Sequence, residues 1–140
     1  MTREIYEHNK NLIDVFRSAL YDCEPAALSK RFNSVFAPDC KIHLAYPFED
    51  LEGPAALFEQ VYQPLLAAIP DLERRDYIVI AGQDSGSNWV GCAGFYAGVF
   101  EKPWLDIPPT KHFVVMRYHE FFRLEGEQVV EMQALCDIPH

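Results

Sequence analysis

Apolar residues recur at helical spacing through the first half of the chain, and the period shortens to two in the second half. Ile5, Leu12, Ile13, Phe16, Ala19 and Leu20 share one face of a first helix. Pro25 suits the first turn of a second helix, whose Leu28, Phe32, Val35 and Phe36 form an apolar stripe. "APDC" stops that helix, and "CKIHLAYP" reads as a short strand. Gly53 and Pro54 open a third helix carrying Leu57, Phe58, Val61, Leu65, Leu66 and Ile69, which Pro64 should bend or split.

From Asp76 onward the alternation is that of strands. "DYIVIAGQ" turns through "DSGS" into "NWVGCAGFYAGVF", whose internal glycines mark a bulge, a bend or a close approach. The proline-rich "EKPWLDIPPT" is a loop, and "KHFVVMRYHEFFRL" and "EQVVEMQALCD" form a last hairpin across "EGE". Three helices followed by a mostly antiparallel sheet of four long strands and one short one predict an α+β fold. With 140 residues and no internal repeat, the expectation is one domain over 1–140.

Composition narrows the partners. A net charge of −9 with no basic run argues against nucleic acid and against anionic membrane surfaces. The chain has no run of about 18 apolar residues, and "MTREIYEHNK" lacks the apolar core of a signal peptide. Cys23, Cys40, Cys92 and Cys136 are scattered without a CxxC pair, which fits reduced thiols in the cytoplasm. No ligand-spaced His or carboxylate cluster, phosphate loop or nucleophile motif is present, so the expected site has no metal and no cofactor.

Candidate chemistry concentrates in the last strand. One register carries Glu131, Gln133, Leu135 and Asp137; the other carries Val130, Met132, Ala134 and Cys136. The polar register could furnish a pocket with carboxylates, or the apolar one could face inward and leave the acids wet. His43 stands in the short strand. His112 and His119 fall on opposite faces of the preceding long one, whose two faces are equally mixed. Tyr46, Trp89, Tyr96 and Trp104 are aromatic enough to wall a pocket or to pack a core.

Four segments together, "FAPDCKIHLAYPFEDLEG", "GCAGFYAGVF", "IPPTKHFVV" and "FFRLEGEQVVEMQALCD", resemble the SnoaL-like branch of the nuclear-transport-factor-2-like superfamily, the polyketide-cyclase and ester-cyclase group. The resemblance spans nearly the whole chain. It implies a cone-shaped α+β barrel, with three helices on a strongly curved sheet around a mostly apolar pocket, and a homodimer formed through the outer sheet face. It also places the cyclases' last-strand carboxylate at Gln133 or Ala134, their histidine at Glu120 beside His119, and their closing acid at Asp137.

The expected function is therefore cofactor-free acid–base chemistry of the cyclase, isomerase, lyase or hydrolase type. The substrate would be a small hydrophobic, cyclic or polyketide-like molecule. The candidate catalytic residues are Asp137, Glu131, His43 and His119, with Asp137 or Glu131 raised in pKa by burial; Tyr46, Trp89, Tyr96, Trp104 and Gln133 are candidates for substrate binding. The alternative is a non-catalytic protein that holds a hydrophobic ligand in the same pocket. A carboxylate and a histidine converging inside the cavity would favour the enzyme.

Overall fold

The computed structural model describes residues 2–22, 25–45 and 48–137. Helices α1 (Thr2–Asp22) and α2 (Pro25–Val35) pack on each other and on one face of the sheet. Ile13, Phe16, Ala19 and Leu20 of the first stripe and Leu28, Phe32 and Val35 of the second are buried there, whereas Ile5 is exposed. Phe16 is the hinge of this packing: its ring centroid lies 5.1 Å from that of Phe32, 5.5 Å from Phe36 and 5.4 Å from Phe122.

Strand β1 (Phe36–Leu44) starts directly at the end of α2, earlier than the "CKIHLAYP" pattern indicates, and is followed by a two-residue strand, β2 (Leu51–Glu52). The third helix is interrupted, as Pro64 requires. It runs as α3 (Pro54–Leu57), a π-helical segment Phe58–Tyr62, and α4 (Gln63–Ala68). Pro64 has no N–H to donate to a carbonyl four residues back, and Gln63 N–H bonds to Phe58 O, five residues back.

Strands β3 (Glu73–Asp84), β4 (Ser87–Val99), β5 (Phe113–Glu125) and β6 (Gln128–Cys136) complete the sheet. Its order is β2-β1-β6-β5-β4-β3, with β1 parallel to β6 and all other neighbours antiparallel. The class is α+β with a mixed sheet, as expected. The cone-shaped barrel is corrected: the sheet is open, with β2 and β3 as its edges, and it is not strongly curled.

Two bulges decide which side chains face the helices. Tyr77 is the extra residue where Asp76 pairs with Gly94 and Ile78 with Ala93. Before it, Leu72, Arg74 and Asp76 point inward; after it, Ile78 and Ile80 point out to solvent. Gly94 makes the bulge possible, since a Cβ there would lie 2.0 Å from Arg75 O and 2.5 Å from the Tyr118 hydroxyl. In β6, Val130 is the extra residue between the Arg123–Glu131 and Leu124–Val129 pairs.

Candidate active site

Beyond the Val130 bulge, Met132, Ala134 and Cys136 face the helices, while Glu131, Gln133, Leu135 and Asp137 face away. The apolar register of the last strand is the inner one. Small apolar side chains suit the layer that the helices cover, and the acids keep their hydration on the other side.

On that outer face Glu131 accepts hydrogen bonds from Arg123 Nε at 3.0 Å and from Gln133 Nε2 at 2.9 Å. His43 sits with Nδ1 3.2 Å from Asp50 and Nε2 3.8 Å from Glu131. The Gln133 hydrogen bond, with Arg123 beside it, outweighs partial burial and holds the Glu131 carboxyl below its ordinary range. The expected raised pKa at Glu131 is thus corrected, with Arg123 supplying the opposite sign. Asp137 is exposed at the strand end, His119 and His112 are exposed, and Trp89 lies in an outer groove with Gln133 and Phe121. Tyr46 lies outside the described residues. Of the sequence-stated candidates, Tyr96 and Trp104 line the inner cavity.

That cavity is walled by Leu57, Val61, Leu65, Met132, Phe48 and Trp104, with Tyr62, Tyr96, Tyr118 and Glu120 as its oxygen-bearing side chains. It measures about 40 Å³, room for a few waters, against roughly 300–1,000 Å³ for typical small-molecule pockets. A ring-sized ligand therefore enters only if the wall yields.

Behind the tyrosines lies a buried ion-pair network. Arg74, with a side chain 0% exposed, donates from Nη2 to Glu120 Oε1 at 2.7 Å and to Asp76 Oδ1 at 3.0 Å. Its Nε reaches Asp76 Oδ2 at 3.1 Å, and its Nη1 the Tyr96 hydroxyl at 2.9 Å. The guanidinium also lies over the Tyr118 ring, 4.2 Å from its centroid. Asp76 is further held by Arg17 Nε at 2.9 Å and by the Tyr118 hydroxyl. Tyr62 donates to Glu120 Oε2 at 3.1 Å, and Tyr96 to Tyr62 at 3.2 Å.

The electrostatics follow from these contacts. Burial alone would raise the Asp76 pKa; the Arg74 charge and the hydrogen bonds from Arg74, Tyr118 and Arg17 outweigh it and leave the carboxyl below its ordinary value. Burial likewise opposes the Arg74 charge, but Glu120 more than compensates, and the guanidinium stays ionised. Tyr62 and Tyr96 are pushed well above their usual range by burial first and the Glu120 charge second. They remain protonated donors at neutral pH.

Sequence reasoning missed Arg74, Asp76, Tyr62 and Tyr118. "ERRD" resembles a solvated charge run, yet Leu72, Arg74 and Asp76 alternate in phase with an apolar position, which was the available signal. Glu120 was visible only as the family's histidine position carrying an acid.

The profile of the SnoaL-like polyketide cyclase family matches residues 15–138. The chain belongs to that family. Solved structures agree on the fold. A provisionally assigned SnoaL-like polyketide cyclase from Jannaschia sp. CCS1 is 20% identical, with 95% of this chain and 88% of that one covered at a TM-score of 0.72. AclR of Streptomyces galilaeus, provisionally assigned as a hydroxylase, is 20% identical with coverages of 94% and 80% and a TM-score of 0.74. IdmH of Streptomyces antibioticus, provisionally assigned as a polyketide cyclase, is 18% identical with coverages of 92% and 91% and a TM-score of 0.74. At such identities they show a shared fold, the nuclear-transport-factor-2-like or ketosteroid-isomerase-like one. No protein with a curated description matches the chain. Among the described residues no helix is long and apolar enough to cross a membrane, and no group of His, Cys, Asp and Glu is placed to hold a metal.

Proposed function

We propose that this SnoaL-like chain is a cofactor-free enzyme performing acid–base chemistry on a small hydrophobic cyclic ligand, with Glu120 as the proton-transferring carboxylate. One observation carries the reading: among the described residues Glu120 is the one acid lining the inner cavity, 2% exposed, with tyrosine hydroxyls beside the oxygen that Arg74 leaves free. The partner in the cavity is a tyrosine where a histidine was expected. A carbonyl ligand would lose an α-proton to Glu120 Oε2. The C–H electron pair would pass into an enolate whose oxygen accepts a hydrogen bond from Tyr62 or Tyr96. Return of the proton at a different carbon would give the isomer; attack of the enolate carbon on a second carbonyl of the ligand would form a C–C bond, with the proton passing from Glu120 to the new alkoxide. Asp76, itself held by Arg17, would hold Arg74, and Arg74 would hold Glu120, so the base is oriented before the ligand arrives.

Deuterium wash-in at the α-carbon of acetophenone in D2O, followed by proton NMR, tests this. The wild type should exceed buffer by at least an order of magnitude, Glu120→Gln should lose the excess, and Tyr62→Phe should reduce it. Saturable binding without exchange would leave the second reading, a hydrophobic-ligand binder. That reading draws support from Arg74 Nη2, which donates to Glu120 Oε1 at 2.7 Å and ties the carboxylate into a buried structural ion pair.

We further propose that the protein is one domain over 1–140 and a cytoplasmic homodimer paired through the outer sheet face. The free thiols of Cys40, Cys92 and Cys136 fit a reducing compartment. Tyr77, Ile78, Ile80, Phe113, Val115, Phe121 and Leu135 leave a broad exposed apolar surface on the outer side of the sheet. Sedimentation should report twice the 16.1 kDa chain mass at micromolar concentration, and a monomer there refutes the pairing.

A further inference from the structure

The inner cavity has a second polar feature that the Glu120 network does not use. Trp104 is 3% exposed and lines the cavity, and its indole Nε1–H has no acceptor among the described residues. Buried N–H groups are almost always paired. The tyrosine hydroxyls that share the cavity bond with Glu120, Arg74, Asp76 and one another, and none of them accepts from the indole.

The backbone that presents this tryptophan is unusual as well. Trp104 and Ile107 exchange both backbone hydrogen bonds, 3.1 and 2.8 Å, closing a two-residue turn. Its central residues, Leu105 and Asp106, have φ of 52° and 63°, and neither is glycine. This is the backbone pattern of a type I′ turn, which favours Gly, Asn and Asp, so Asp106 suits it and Leu105 does not. A leucine in the left-handed region is strained, and such strain persists only where surrounding structure over-determines it. Leu105 packs against the core, and the loop is fastened by Glu101 N–H and Lys102 N–H, both donating to Ala68 O. The indole is thus presented at the cavity wall by a fastened turn in which Leu105 has no local reason to adopt its backbone shape.

We infer that Trp104 is the ligand-anchoring donor of this cavity: its indole N–H binds an oxygen acceptor, a carbonyl or ether, on a neutral ring-bearing ligand. Phe48, whose ring lies 6.3 Å from that of Trp104 at an interplanar angle of 48°, supplies the apolar surface beside it. This assignment rests on the proposed use of the cavity, and it concerns recognition, separate from proton transfer at Glu120. It selects a neutral acceptor because Phe48 beside Trp104 is apolar and the described lining carries no cation to balance an anionic one.

Two shape-matched probes test it, acetophenone and α-methylstyrene, in which a methylene replaces the carbonyl oxygen. The chain has two tryptophans, so a nitrogen-15 labelled sample shows two indole signals, assigned with Trp89→Phe. Acetophenone should move the Trp104 signal downfield and bind about tenfold more tightly than α-methylstyrene; Trp104→Phe should abolish that preference while leaving α-methylstyrene binding in place. Equal affinities in the wild type, or an indole signal that is already hydrogen-bonded to a buried water and does not move with acetophenone, overturn the assignment but leave the cavity a binding site. Binding of neither probe overturns both the assignment and the proposed use of the cavity. The wild-type spectra decide the question even if the Trp104 variant does not fold.

Discussion

Replacing Arg74 with methionine removes a cation from a site that keeps two carboxylates. Arg17 and the Tyr118 hydroxyl still serve Asp76, but Glu120 is left with hydroxyl partners alone. Methionine fills much of the volume, so the loss is mainly electrostatic. Breaking a fully buried pair typically costs about 3–5 kcal/mol. For a chain of 140 residues, at roughly 3 °C per kcal/mol, that corresponds to a melting temperature lower by about 10–15 °C. The sign with pH follows from the stranded acid. It can shed the cost by taking up a proton, so the deficit of Arg74→Met should be smaller at pH 5 than at pH 8. In the wild type the lowered Asp76 pKa acts the other way. Its stabilisation is complete above the ordinary value of 3.8 and is lost as pH falls through the lower folded value. Thermal melts of the wild type, Arg74→Met, Glu120→Gln and the double variant at both pH values provide a double-mutant cycle. The double variant should recover much of what the arginine change loses. A deficit that is the same at pH 5 and pH 8, and unrelieved by Glu120→Gln, would show that Arg74 acts through packing and not through charge.

Gly94→Ala should cost about 3 kcal/mol or more in urea unfolding, since the added Cβ would fall 2.0 Å from Arg75 O and 2.8 Å from Asp76 Cα. Gly82→Ala, with nothing within 4 Å of the added atom, is the matching control and should be neutral to within about 1 kcal/mol; equal effects would remove the steric account of the bulge. Carbon-13 NMR should find the Glu131 carboxyl titrating below its ordinary 4.5. Its stabilisation is present above that value and fades as pH falls through the folded one, and Arg123→Met should raise the midpoint. Burial pushes the thiols of Cys40, Cys92 and Cys136 up to about 12. In a Cys23→Ser background none should react with a thiol reagent at pH 8 until the protein unfolds; rapid native labelling of any of them contradicts that burial.

The sequence by itself determined the local elements and their class. The helical stripes around Phe16 and Phe32, the break at Pro64, the alternation from Asp76 onward and the family's ordered segments were all legible, because each depends on residues a few positions apart. It also singled out Tyr96 and Trp104, both of which line the cavity. Which face of the last strand looks inward was decided by tertiary structure alone. A period of two states which side chains share a face and is silent about which face is covered. The cover is α2, whose residues precede that strand by about 100 positions. Once it is in place, Met132 and Ala134 go inside and Glu131 and Gln133 stay with water. The bulges at Tyr77 and Val130 each shift the pattern by one residue, with no strong local signal beyond the glycine opposite Asp76. The candidate site is hidden for the same reason. Arg74 and Glu120 lie 46 positions apart, and Tyr62 and Glu120 58 apart. They meet because strands β3, β4 and β5 are adjacent and a helix closes over them, and the low dielectric that gives the pair its weight exists only after that closure.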